Sequence, residues 1–386
     1  MRRSTDRILV SHAGTMPPPE GWRELIADRG REDELRTRLP DEVGRIVRKQ
    51  VETGIDIVND GEFNKRGGFN GYIRDRLVGI EQRPFAAGEK PTHVGVNGRD
   101  MLEFPQYHAM GKGGFPGGGF GAAASSDPFF CNGPLEFVGG DAVREDAARL
   151  KAAVGDLDAQ PYLSAISPGT IEHWLWNAYY PNSEAFLLAI ADALHDEYSA
   201  IVAEGVVLQI DDPDLPDAWQ MYPDMSIADY RKYAELRMEA LNHALRDVPQ
   251  DMVRHHICWG SQHGPHKNDI PLEHIVDIVL KSHSECLSIE AANPVHEDEW
   301  TVWESVKLPD GKTIMPGCVG HVTDLIERPN LVAQRLVRYA NLVGKENVVA
   351  GTDCGIGTRV GNDEIAWAKL ASLSEGARIA SETLWG

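Results

Sequence analysis

Short apolar, β-branched runs alternate with longer stretches whose apolar residues recur every three or four positions, from Ile8 almost to the C-terminus. The runs are ILVSHA from Ile8, IDIVND from Ile55, YLSAI from Tyr162, VVLQID from Val206, MVRHHI from Met252, CLSIEA from Cys286, TIMPGC from Thr313 and NVVAGT from Asn347. Unbroken apolar runs of this length suit strands covered on both faces, and the intervening period suits helices that cover them. Between the first and second runs, Val43, Ile46, Val47 and Val51 form an apolar stripe after Pro40, stopped by Gly54. Ser183 is placed to cap a helix carrying Phe186, Leu187, Ile190, Leu194, Tyr198, Ile201 and Val202, which ends at Gly205. Pro271 and Pro329 stand at first helical positions. Eight such strand and helix units predict an α/β fold, a (β/α)8 TIM barrel.

One interval is too long for a single crossover. The expected organisation is therefore one barrel domain over residues 1–386 with an insertion over 64–159, between the second and third strands. The insertion carries the glycine-rich GKGGFPGGGFGAAASSDP, either a lid over the site or a surface loop without catalytic role, and PLEFVGG, expected to form a local strand.

Charge narrows the list of partners. With 38 Lys and Arg against 59 Asp and Glu, the net charge is -21, and no basic run offsets it, so a phosphate backbone is repelled and nucleic acid is not expected. No stretch reaches the roughly 18 to 20 apolar residues that span a bilayer, and the N-terminus lacks an apolar signal region, so no membrane partner and a cytoplasmic location are expected. The five cysteines are odd in number and widely spaced, which suits reduced thiols. Monomer and homo-oligomer both stay open.

The polar residues that close the runs carry the chemistry, because the C-terminal strand ends of such a barrel share one mouth. Thr15 follows the first run and Glu62 the second; Asp211 and Asp212 close the fourth. His256 and Cys258 close the fifth, Glu290 the sixth, His321 follows the seventh and Cys354 the eighth. Two thiolates, an imidazole and a carboxylate can fill a tetrahedral zinc shell, the carboxylate being the ligand most easily displaced by an incoming thiol. Cys286 and Cys318 are expected to be small buried hydrophobes. His255, His263 and His266 are not expected to be ligands.

These motifs resemble the C-terminal catalytic barrel of cobalamin-independent methionine synthase and its single-barrel relatives. HIC resembles that family's His-x-Cys zinc motif, SIE its glutamate ligand, and TDCG, with Arg359, its Asp-Cys-Gly motif. By that resemblance Zn2+ is the cofactor, held by His256, Cys258, Glu290 and Cys354. AGTMP places Thr15, DGE places Glu62 and LQIDDP places Asp211 where the family binds the amino acid substrate. SPGTIEHW places Trp174 as a stacking platform for the alkyl donor, and His321 takes the part of the proton donor. The resemblance implies zinc-dependent methyl or alkyl transfer to a thiol, homocysteine in the first instance, with a small-molecule thiol and an alkyl donor as partners. The alternative within the class is an alkyltransferase or epoxide-opening enzyme acting on another thiol. A metal-free decarboxylase on a related barrel would line the mouth with arginines, and a zinc-stabilised binding protein would close all four ligands around the metal.

Overall fold

The computed structural model describes residues 1–111, 127–357 and 360–386. Among the described residues there are eleven strands: β1 (Leu9–Val10), β2 (Ile57–Val58), β3 (Leu77–Gln82), β4 (Phe129–Phe137), β5 (Gln160–Ile166), β6 (Leu175–Asn177), β7 (Val207–Asp211), β8 (Val253–Ile257), β9 (Cys286–Ile289), β10 (Thr313–Val319) and β11 (Val349–Thr352). Eight of them form one sheet in the order β1-β11-β10-β9-β8-β7-β5-β2, and every neighbouring pair is parallel. Each of the eight expected runs overlaps one of these strands. The ends of the sheet, β1 and β2, are drawn together where Asp56 N–H donates to Val10 O at 2.9 Å and the Ser11 hydroxyl to Ile57 O at 3.0 Å. The result is a nearly closed TIM barrel with helices outside.

The helices follow the apolar stripes, with three adjustments. The first long helix spans Glu32–Glu52 and takes Pro40 inside it rather than starting after it; three acidic residues, Glu32, Asp33 and Glu34, favour its N-terminal turn. The helix Ser183–Ala203 is capped one residue earlier than expected, by Asn182, whose Oδ1 accepts from Ala185 N at 2.8 Å. Pro271 precedes only a 3-10 turn, Leu272–His274, and the single helical turn Val276–Val279. Pro329 does start its helix, Pro329–Val343.

Residues 59–159 separate β2 from β5. They supply β3 and β4, an antiparallel pair, and β6 joins β4 in parallel to complete a three-stranded sheet beside the barrel. PLEFVGG lies largely in β4; β6, directly after the helix Pro168–Trp174, has no counterpart among the expected runs. Most of the glycine-rich stretch, 112–126, falls outside the described residues.

Leu9, Ile57, Tyr162, Val207, Cys286, Met315 and Val349 plug the lower interior of the barrel. A larger apolar layer fills the space between strands and helices. Cys286 and Cys318 are fully buried in these two layers, as expected of small hydrophobes. Above the plug the interior turns polar, and there the mouth begins. No helix among the described residues is long and apolar enough to cross a membrane.

Candidate metal centre and cavity

Strand parity and register build the site. Asp211 of β7 pairs with His256 of β8, and His256 with Ser288 of β9, so the three stand at one level facing the barrel axis. Cys258 lies two residues past His256 and keeps its direction. Cys354 lies two residues past Thr352, the last residue of β11. One ligand atom each from His256, Cys258 and Cys354 lies within 4.8 Å of the others. The Nδ1 of His256 is engaged by the Ser288 hydroxyl at 2.9 Å, which leaves the buried Nε2 without a conventional hydrogen-bond partner among the described residues. The Ser261 hydroxyl donates to Cys354 Sγ at 3.5 Å.

The electrostatics of the trio favour one negative charge on sulfur. Hydrogen bonding from the Cys258 thiol, helped by His256, holds Cys354 well below the usual thiol range, and that same contact, with burial, pushes Cys258 well above it. Burial disfavours the imidazolium of His256, but its contact with Cys354 and the charge there outweigh this and raise its pKa. Glu290 is buried and outside the trio: its carboxylate accepts from Trp259 N at 3.0 Å and from Asn293 Nδ2 at 3.1 Å. Burial and the neighbouring Asp353 push its carboxyl up to about 8.

The trio opens on a cavity of about 320 Å3 whose wall includes Thr15, Glu62, Trp174 and Asp211. Glu62 sits in the left-handed region at φ 62°, where Thr15 Oγ1 donates to its Oε2 at 2.6 Å and the Ser164 hydroxyl to its Oε1 at 3.3 Å. Gly14, at φ 147°, leaves room for this carboxylate: a Cβ there would stand 2.6 Å from Glu62 Oε1. Asp211 is buried, which pushes its carboxyl up to about 7 against the opposing pull of His256. Its neighbour Asp212 points the other way. It accepts from the Ser167 hydroxyl at 2.7 Å and lies 3.1 Å from His255 Nε2, so His255 faces away from the trio. His321 is buried and is not on the cavity wall, although its charge contributes to lowering the pKa of Cys354. Arg359 lies outside the described residues.

Sequence reasoning missed several wall residues. His93 and Val96 reach the cavity from the insertion, with no strand-end position to mark them. Asp217 and Gln262 carry buried oxygens, Oδ1 and Oε1, without a hydrogen-bond partner among the described residues. Burial and Asp214 push the Asp217 carboxyl well above the usual range. His173, one residue before Trp174, is held by Asp214 at 2.5 Å and by the Tyr233 hydroxyl at 2.5 Å.

A family model described as "Cobalamin-independent synthase, Catalytic domain" matches residues 165–378, more than half of the chain and all of the trio. The chain belongs to that family. Among curated relatives, the methionine synthase of Saccharolobus solfataricus is 26% identical over 225 residues, 58% of this chain and 59% of that protein, so less than two thirds of that relative's length is matched. The methionine synthase of Sulfolobus acidocaldarius is 22% identical over 378 residues, 96% of this chain and 91% of that one. Among solved structures, a B12-independent methionine synthase from Shewanella sp. W3-18-1, in complex with selenomethionine, superposes with a TM-score of 0.71 at 22% identity, covering 98% of this chain and 99% of that one. That likeness establishes the shared barrel.

Proposed function

We propose that this member of the cobalamin-independent synthase family is a zinc-dependent transferase that moves a methyl or other alkyl group to the sulfur of a thiol amino acid, homocysteine being the first choice. The observation that carries the reading is the convergence of His256, Cys258 and Cys354 on one point at the floor of the cavity. Two thiols, one tending to thiolate, and an imidazole nitrogen without a conventional partner are a donor set that zinc favours, so the residues fit the metal. His256, Cys258 and Cys354 would hold it, with Glu290 as the fourth, exchangeable ligand. Zinc bound there supplies the Lewis acidity that ionises a thiol near neutral pH.

The chain's own groups orient the substrate. Glu62, steadied by Thr15 and Ser164, and Asp211 give the cavity two carboxyl groups for a substrate ammonium, which supports a thiol amino acid over a simple thiol. Trp174, with Val96 and Met221, forms the apolar wall on which the donor is proposed to lie, and keeps water from the sulfur. Asp217, whose carboxyl burial pushes well above the usual range, and Gln262 offer that donor polar contacts. His321 is proposed as the source of the leaving group's proton.

Two variants test the reading. Cys354→Ser is expected to lose stoichiometric zinc, by elemental mass spectrometry, together with methionine formation from homocysteine and a methyl donor; full zinc retention would remove Cys354 from the ligand set. Product analysis across several thiols separates homocysteine from the alternative acceptors. His321→Ala is expected to retain zinc and slow turnover, and an unchanged rate would assign the ring to packing.

A further inference from the structure

Arg254 lies on the barrel axis one layer below the mouth, fully buried. The register explains its place: Ser164 of β5, Gln209 of β7, Arg254 of β8 and Cys286 of β9 stand at one level, two residues below Asp211 and His256. Barrel interiors usually carry bulky apolar side chains at such levels, and a buried cation is costly unless its donors are satisfied. No carboxylate forms an ion pair with Arg254 among the described residues. Its partners are all neutral: Nε donates to Gln209 Oε1 at 2.7 Å, Nη1 to the Ser11 hydroxyl at 2.8 Å and Nη2 to His12 O at 3.1 Å, while the guanidinium lies 4.1 Å from the centre of the Tyr162 ring.

The contact with Gln209 does more than satisfy a donor. By holding the amide oxygen, Arg254 decides which way the amide faces, and Gln209 Nε2 then donates upward to Asp211 Oδ1 at 2.7 Å and to Ala13 O at 2.5 Å. Both of those residues are on the cavity wall. A glutamine free to flip would turn its oxygen toward the Asp211 carboxylate and repel it. A planar, forked, permanently charged group is what this task requires, and an ammonium at the same place could not hold so many acceptors in one plane.

We propose that Arg254 is a positioning residue for the substrate ammonium: through Gln209 it fixes Asp211 Oδ1, leaving the other carboxyl oxygen for the amino group of the thiol. This rests on the proposed role of Asp211 and adds to it a pair of buried residues that never touch the substrate. The readout is discrimination between homocysteine and 4-mercaptobutanoic acid, which lacks the amino group, in calorimetric titrations of the zinc-loaded protein. In Gln209→Met and in Arg254→Lys, homocysteine affinity is expected to fall about tenfold, the affinity for the desamino thiol to change less than twofold, and zinc stoichiometry to stay at the starting level. The double variant is expected to lose no more than either single one, since the two residues act in series. Equal losses for both thiols, or discrimination that survives both substitutions, would overturn the positioning role. An unmodified protein that binds the two thiols equally would instead overturn the ammonium assignment, and this proposal with it. Since a buried apolar replacement can unfold the chain, thermal unfolding accompanies each variant, and the charge-retaining Arg254→Lys decides the matter if Gln209→Met does not fold.

Discussion

His12 shows how one buried side chain ties barrel closure to pH. Its Nε2 lies 2.8 Å from Gln50 Oε1 and its Nδ1 2.9 Å from Gly14 O, with the Tyr162 hydroxyl 3.1 Å from Nδ1. Burial pushes its pKa down to about 4, from an ordinary value near 6.5 in the unfolded chain. Because the folded value is the lower one, the stability it contributes is complete above pH 6.5 and is lost as the pH falls toward 4, where the unfolded chain takes up the proton first. The loss is on the order of 3 kcal/mol across that window. Other buried groups, such as Asp211, titrate in the same range with the opposite sign, so the informative quantity is a difference. Denaturant unfolding of the wild type is expected to lose more stability between pH 6.5 and 4 than that of His12→Gln; parallel curves would show that the ring is not the acid-sensitive element.

At the scale of elements, the proposed ligands come from β8 and from the segments that follow β8, β9 and β11, and something must hold those strand ends together. Asp353, at the end of β11 and next to Cys354, does so. Its Oδ1 accepts from Ala291 N at 2.8 Å and Ala292 N at 2.9 Å, directly after Glu290, while its own N–H donates to Val319 O of β10 at 3.1 Å. Gly317 leaves the space, since a Cβ there would meet Asp353 Oδ1 at 2.0 Å. Asp353→Ala is therefore expected to weaken zinc binding by roughly 10- to 100-fold in chelator competition, as loss of an outer hydrogen bond does at other metal sites. Unchanged affinity would confine the aspartate to loop structure. Much of this site was legible beforehand. Period-two alternation sends His256 and Cys258 to the same side, and Glu290 near the end of its run and Cys354 just past its run mark strand ends in any parallel barrel. The clamp was not legible, although TDCG was in plain view, because parity turns Asp353 away from the ligands and only register reveals that it meets the loop after β9.

At the scale of the whole molecule, the alternation of runs specified the barrel because each strand is buried on both faces and each helix on one, a pattern that survives without any knowledge of contacts. The insertion obeys no such repeat. Its residues meet the barrel through single hydrogen bonds, which leave no period in the sequence, and so the arrival of His93 and Val96 at the cavity could not be anticipated. His93 Nε2 lies 2.9 Å from His173 O, Val94 N donates to Met221 O at 3.2 Å, and Arg99 Nε to Trp219 O at 2.6 Å. Asp100 completes the attachment: its Oδ1 accepts from Asn268 N at 3.1 Å and Nδ2 at 2.9 Å, and its own N–H donates to Gln220 Oε1 at 3.1 Å. With His93 and Val96 on the cavity wall, these hydrogen bonds are what hold this stretch of the insertion over the cavity. Removing the Asp100 carboxylate leaves two donors of Asn268 without that acceptor, costing about 1 to 3 kcal/mol, enough to raise the open population at least about fivefold. Met101 and Leu102, already 45% and 71% exposed, then become the cleavage point. Asp100→Ala is expected to be cut there by thermolysin several times faster than the wild type, with an unchanged melting temperature and a raised KM for the alkyl donor but not for the thiol. Should melting fall in step with cleavage, the segment would open only when the barrel itself unfolds, and it could not admit a donor to a folded site.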